Sequence, residues 1–266
     1  MLVQMETGQQ FLMHLSNKHK TSQDLSILIH KDGFSFCTQT QHHFFSVEKD
    51  FPSAEALQSW MSYHQLDQSE LQIIFCDSPA VTVPLSLFDE SQPEHYIKSA
   101  ISIQKDSHLV SKILNSTQQV VVFPVLAPFN DLLLSLFKTV PSSHIVAELL
   151  PALSAHSFGK GKKNMFIHLR KDTFDLFLYQ GGQLLLQNSF PHKNSDDFLY
   201  YLFYVAEQFY LKPDQFDLYF LGRFTVFEDY YSGTKEFHHA IEFMAPHHPL
   251  LDTNHPVPFF QDFIGP

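Results

Sequence analysis

The sequence predicts an α/β protein of two lobes, each a mixed β-sheet flanked by helices, built by using one unit twice. Three observations carry this. Two hairpin-like stretches, "LSILIHKDGFSFCTQTQHHFFSV" (25–47) and "NMFIHLRKDTFDLFLYQGGQLLLQNSF" (164–190), superpose at one constant offset. Each is followed, in the same order, by a helical stretch and a short apolar strand. The chain has 266 residues. That suits one large domain or two lobes of roughly 100–150 residues.

The elements follow in order. At the common offset Lys31 and Asp32 fall on Lys171 and Asp172, Phe34 on Phe174, and Phe44 and Phe45 on Leu184 and Leu185. Each stretch runs apolar into a polar turn, Lys-Asp-Gly or Lys-Asp-Thr, then into a second and a third strand. Gly33 can take a positive φ in the first turn, and Gly181-Gly182 can close the later one. Helices follow at "SAEALQSWMSYHQL", capped by Ser53, and at "DDFLYYLFYVAEQFYL", capped by Ser195 with Asp196 and Asp197 in the first turn. Strands close the units at "LQIIFC" (71–76) and "FDLYFL" (216–221). Between the units, 93–103 reads as helix, 118–125 as strand, and 128–138 and 142–158 as helices, with Pro151 a candidate break in the last. "GKGKKN" (159–164) reads as the linker, which divides the chain into lobes 1–160 and 161–266. The Pro-rich tail after Ile241 is expected to dock back on the body.

Composition excludes several roles. The chain is 44% apolar and 17% charged, with 28 Phe and 10 Tyr, so it can bury a large aromatic core. Its formal charge of −11, from 17 basic and 28 acidic side chains, disfavours nucleic acid and anionic membranes. The 17 His would offset much of that charge below pH ~6. Cys37 and Cys76 lie in apolar strand-like runs and read as buried thiols. No leader-like start and no long apolar run occurs, so a cytoplasmic protein without membrane insertion is expected.

Duplicated units of three strands, a helix and a strand resemble the actin-like ATPase (ribonuclease H-like) fold of actin, sugar kinases and large heat-shock chaperones. "HLRKDTFDL" (168–176) stands in the register of the chaperones' second phosphate loop, D-L-G-G-G-T-F-D-V, and keeps its Thr-Phe-Asp-Leu half. Over nearly its full length the chain is also similar to a bacterial family of uncharacterised proteins assigned to this fold. "LSILIHKDGFSF" and the stretch from Phe174 to Gly222 carry that likeness.

The resemblance marks nucleotide positions, and each departs from the pattern. His168 stands where the loop Asp would act, and Arg170, Lys171 and Asp172 replace three glycines beside Thr173. Those glycines let backbone N–H groups approach phosphate, so side chains there fill the space it needs. In the first copy Asp32 and Gly33 read as turn chemistry, since the loop Asp is expected near Ile29. At the nucleoside site one glycine, Gly222, is followed by Arg223 where two glycines are usual. Arg170, Lys171 and Arg223 read as solvated turn and strand-end charges rather than an anion site.

No other chemistry is signalled. His42-His43, His238-His239 and His247-His248 are adjacent pairs, whose side chains diverge on a strand or helix, so a shared metal ion is not expected and they read as surface or partly buried His. No nucleophile elbow, Walker loop or dinucleotide fingerprint occurs, and no cofactor or catalytic residue is expected. The helix after Ser195 is apolar on every side. Phe198, Tyr201, Leu202, Val205 and Phe209 share one face. Tyr200, Phe203, Tyr204 and Tyr210 lie outside it, either as further core or as an interface for a partner protein or a second copy. The leading functional expectation is a non-enzymatic scaffold or adaptor that has lost its phosphate loops. The competing one is a small-molecule or nucleotide binder, or weak phosphotransfer enzyme, using an interlobe cleft. A plugged cleft favours the first and an open one with converging donors the second. A third reading, a pH response, requires buried His.

Overall fold

A computed structural model describes residues 25–30, 33–37, 42–46, 71–98, 106–127, 131 and 142–244. Residues 33–37 and 42–46 are described by their strand pairing. The proposed Ser53 helix, Asp32, most of 128–138 and the tail after Met244 lie outside the described residues.

The first five-stranded sheet has the order β3-β2-β1-β4-β8. Its strands are β1 (Leu25–Ile29), β2 (Gly33–Cys37), β3 (His42–Ser46), β4 (Leu71–Phe75) and β8 (Ser142–His144). The second has the order β11-β10-β9-β12-β13, from β9 (Lys163–Leu169), β10 (Thr173–Gln180), β11 (Gln183–Pro191), β12 (Phe216–Leu221) and β13 (Ile241–Met244). The two sheets pair in the same senses: three antiparallel strands, then two added in parallel. The hairpin registers match as well, with Ile29 opposite Phe34 and Leu169 opposite Phe174.

The third strands do not follow the constant offset. Phe34 faces Phe45, whereas Phe174 faces Phe190, because β10 and β11 run 8 and 9 residues with a register shift after Leu178. By ladder position, Phe45 therefore corresponds to Phe190 and not to Leu185. A constant offset fails where the two hairpins differ in length.

A third, antiparallel sheet, β5-β7-β6, comes from β5 (Val81–Pro84), β6 (Ser107–Leu114) and β7 (Gln119–Leu126). Pro124 sits in its central strand without breaking it, because β5 reaches only as far as Val122 and needs no N–H from Pro124. Helix α1 (Pro93–Lys98) packs beside this sheet through Ile97.

Helix α2 (Ile145–Ser157) continues through Pro151 and starts after residues expected to be helical, since Ser142–His144 pair with β4 as strand. Tertiary burial overrides the proline here: Ile145, Val146, Leu149, Leu150 and Leu153 are all buried. The hydrophobic cluster around α2 joins Ile27, Ile73 and Ile74 of the first sheet to Phe166, Phe177 and Tyr219 of the second. Tyr179 Oη donates to the Leu150 carbonyl at 3.0 Å, tying the second sheet to α2. The expected linker is partly structured. Strand β9 begins at Lys163, and Lys160 Nζ lies 3.0 Å from Tyr219 Oη and 4.7 Å from that ring's centre.

A second core lies on the far face of the second sheet, where α3 (Ser195–Gln208) and α4 (Glu228–Phe237) pack. The α3 cap is Asn194 and not Ser195. Its Oδ1 accepts from Asp197 N–H at 2.9 Å, while Asp197 Oδ2 accepts from Lys193 N–H at 3.0 Å, a reciprocal pair that satisfies two backbone donors at the helix start. Among the described residues no helix is long and apolar enough to cross a membrane.

Candidate functional site

The turn joining β9 to β10 carries most of the sequence-marked positions. Arg170 N–H donates to the Thr173 carbonyl at 2.9 Å, leaving Lys171 and Asp172 exposed at its tip. The turn is pinned from outside. His192 N–H donates to the Asp172 carbonyl at 3.0 Å, and His192 Nε2–H donates to the Arg170 carbonyl at 3.0 Å. That leaves His192 Nδ1 to accept from Tyr230 Oη at 2.9 Å. Burial pushes the His192 imidazole down, which suits this neutral tautomer.

Arg170 is not a solvated charge. It is 5% exposed, and its side chain turns inward between the two five-stranded sheets. One arm of the guanidinium donates to the Cys76 carbonyl and, at 3.1 Å, to Asp77 Oδ1, both just past β4. The other donates to Asp175 Oδ1 on β10 at 2.7 Å. Asp175 is fully buried and also accepts from His168 Nδ1–H at 3.0 Å and from Ser189 Oγ at 2.5 Å. Burial alone would raise the Asp175 carboxyl. The Arg170 charge and the His168 and Ser189 hydrogen bonds outweigh it and hold the group well below the usual carboxylate range. His30, at the end of β1, lies 3.7 Å from Asp77 Oδ2 and extends the cluster into the first sheet.

His144 sits at the edge of the same region. Its Nε2–H donates to the Ser78 carbonyl at 2.8 Å, and its Nδ1 accepts from Val146 N–H at 3.1 Å as the cap of α2. Both ring nitrogens are thus committed in the neutral form, and burial pushes the pKa down to about 4.

Gly222 and Arg223, after β12, do not join this cluster. Gly222 has φ +81°, and a Cβ on it would stand 2.5 Å from Phe224 Cε2, so the Phe224 ring covers its face. Arg223 is exposed, pairs with Glu228 Oε1 at 3.0 Å and lies 5.2 Å from the Phe243 ring centre.

The structure therefore brings together His168, Arg170, Thr173 and, through its carbonyl, Asp172. It leaves Lys171 at the tip and Gly222 and Arg223 elsewhere. Gly33 is placed in β2 opposite Ser46. Sequence reasoning missed Asp77, Asp175, Ser189 and His30. The sequence shows Asp175 within Thr-Phe-Asp-Leu, and an acid inside an otherwise apolar strand next to an Arg-bearing turn is the signal that marks it. His238 is fully buried rather than superficial, with Nε2 3.1 Å from the Phe216 carbonyl, whereas its neighbour His239 is exposed. Cys76 is buried, as expected. Among the described residues no group of three His, Cys, Asp or Glu is placed to hold a metal ion.

A family described as "Protein of unknown function (DUF3822)" matches residues 13–241. The chain belongs to this family. A protein with an actin-like ATPase fold and unknown function from Bacteroides thetaiotaomicron is 22% identical, with a TM-score of 0.74 over 92% of this chain and 96% of that one. The fold is therefore the actin-like ATPase fold. A chain of the PilM-PilN type IV pilus biogenesis complex has a TM-score of 0.48 at 10% identity, over 85% of this chain and 89% of that one. The apo psk41 parM protein reaches 0.42 at 8% identity, over 91% and 95%. No curated protein matches the chain.

The aromatic helix α3 divides its residues between core and surface. Phe198, Leu202, Val205 and Ala206 are buried, while Tyr200 and Tyr204 are 63% and 47% exposed. Phe203 is half-buried, and Tyr210, just past the helix with φ +53°, is 91% exposed.

Proposed function

We propose that this protein is a non-enzymatic scaffold or adaptor built on the actin-like fold, with its phosphate-loop positions turned to structural use. One observation carries the reading: the Arg170 guanidinium occupies the space between the sheets, paired with Asp77 on one side and Asp175 on the other. A nucleotide phosphate needs open space and backbone N–H donors facing it. Here the turn's Arg170 N–H is spent on Thr173, and Asp172 adds a negative charge at the tip. The Phe224 ring over Gly222 points the same way for a nucleoside. The matching order, sense and hairpin register of the two five-stranded sheets support an internal duplication with lobes 1–160 and 161–266.

Thermal unfolding with Mg-ATP, Mg-ADP and Mg-GTP tests the proposal. A ligand at ~100 times its Kd adds ~2.7 kcal/mol. For a chain of this size that is roughly 5–10 °C. No shift is expected up to millimolar nucleotide. A saturable shift with any of the three overturns the reading.

A further inference from the structure

The outer surface of the second lobe carries a groove of about 730 Å³ between α3 and α4. Its floor is low because Gly233 lets the helices approach: a Cβ there would stand 3.0 Å from Leu199 Cδ1. Tyr200 and Tyr204 form one wall, their rings near-parallel at 6.1 Å, and Phe203 meets Phe237 at 5.1 Å across the groove. A second hollow of about 490 Å³ shares Phe203 and Glu207 and continues past the helix end to Tyr210 and Leu211. The apolar surface therefore runs along most of α3, about 20 Å at ~1.5 Å per residue.

Charge distinguishes the occupants. Asp196, Glu207, Asp229 and Glu236 line the 730 Å³ groove, and no Lys or Arg does; in the second hollow Glu207 is joined by Lys212. All four are exposed, and none makes an ion pair among the described residues. A second copy of this chain would bring four more acids against these four, and like charges across an interface cost affinity and specificity. The overall charge of −11 adds to that repulsion. An anionic lipid surface is repelled for the same reason. A strand is no better suited, because strand addition needs an open sheet edge and both walls here are helices with their backbone groups already satisfied. A third helix laid into the valley between two helices uses the apolar floor, and basic residues on its flanks meet the acidic rim. Tyr-rich walls supply large contact area at little conformational cost.

We propose that the α3–α4 groove is a docking site for a basic amphipathic helix of a partner protein, with apolar residues at i, i+3 or i+4, and i+7 and Lys or Arg on both flanks. This names the partner class for the adaptor reading and rests on it. The groove nevertheless lies apart from the Arg170 cluster, so nucleotide binding and helix binding are read out independently.

The test is selection from a displayed library of helices about sixteen residues long, which spans a groove of this length. An apolar stripe is fixed and the flanks are random among Lys, Arg, Asp, Glu, Gln and Ser. The wild-type protein is expected to enrich Lys and Arg on both flanks. The best synthetic peptide should bind the E207K/E236K double variant at least tenfold more weakly, with Tm unchanged, and protect residues 195–210 and 228–237 from hydrogen exchange. Acidic or unbiased flanks, no enrichment, equal binding to the double variant, or protection elsewhere overturns the proposal. Sedimentation that finds a dimer lost in the Tyr204→Arg variant also overturns it, since a second copy would then be the occupant. A nucleotide shift with basic-helix selection intact sinks the scaffold reading alone.

Discussion

Replacing Arg170 with Met keeps most of the side-chain volume and removes the charge that joins the sheets. Two carboxylates then lose their cation: Asp175, fully buried, and Asp77, partly exposed. The Cys76 carbonyl loses a charged donor as well. Removing one partner of a buried pair costs about 3–5 kcal/mol, because the remaining charge stays desolvated. Asp175 keeps the His168 and Ser189 donors, which places the loss near the lower bound, about 3 kcal/mol. That corresponds to a fall in Tm on the order of 10 °C. Urea unfolding at pH 7 gives the loss directly from the midpoint and slope. The double variant R170M/D175N should recover part of it, since the orphaned charge is then gone. Acid narrows the gap between R170M and the parent. The Asp175 carboxyl is held below its ordinary 3.8 in the folded protein, so its contribution is present above that value and lost as pH falls below it. An R170M loss under 1 kcal/mol, or no recovery in the double variant, would refute the view that Arg170 is a structural tie.

Two further predictions concern His144 and Gly222. With its folded pKa near 4 against an ordinary 6.5, His144 makes stability full above pH 6.5 and progressively lost toward pH 4, because the unfolded chain takes up the proton first. The contribution is about 3 kcal/mol at most. His144→Asn, which can still cap α2, should flatten the dependence of the urea midpoint on pH across that window by close to one proton, and an unchanged slope counts against the assignment. His156 and His192 are shifted the same way, and burial raises the Glu148 carboxyl, which acts in the opposite sense, so a slope remains in the variant. Gly222→Ala places a Cβ against the buried Phe224 ring at φ +81° and should cost about 1–3 kcal/mol by urea titration; a loss below 0.5 kcal/mol would mean that the Phe224 ring yields freely.

The sequence by itself determined the local elements and the residue types of the turn between β9 and β10. Strands β4 and β12 stand where the apolar runs at 71–76 and 216–221 put them, and the turn at 170–173 follows from its polar residues between two strands. Alternation and turn chemistry are local, so they are written in consecutive residues. That Arg170, Lys171 and Asp172 put no glycine in this turn is legible for the same reason. Only the tertiary structure decided what Arg170 does. Its partners Cys76 and Asp77 lie 94 and 93 positions away along the chain, and whether a turn arginine meets solvent or a buried carboxylate depends on which distant strand end packs beside it. Tertiary burial likewise kept α2 unbroken at Pro151 and turned Ser142–His144 from helix to strand, because β4 offered backbone partners there. It also divided α3, whose sequence is apolar on every side: the sheet covers Phe198, Leu202 and Val205, and Tyr200 and Tyr204 stay in water because the neighbouring helix covers only one flank. Periodicity says which residues share a face; only packing says which faces are covered.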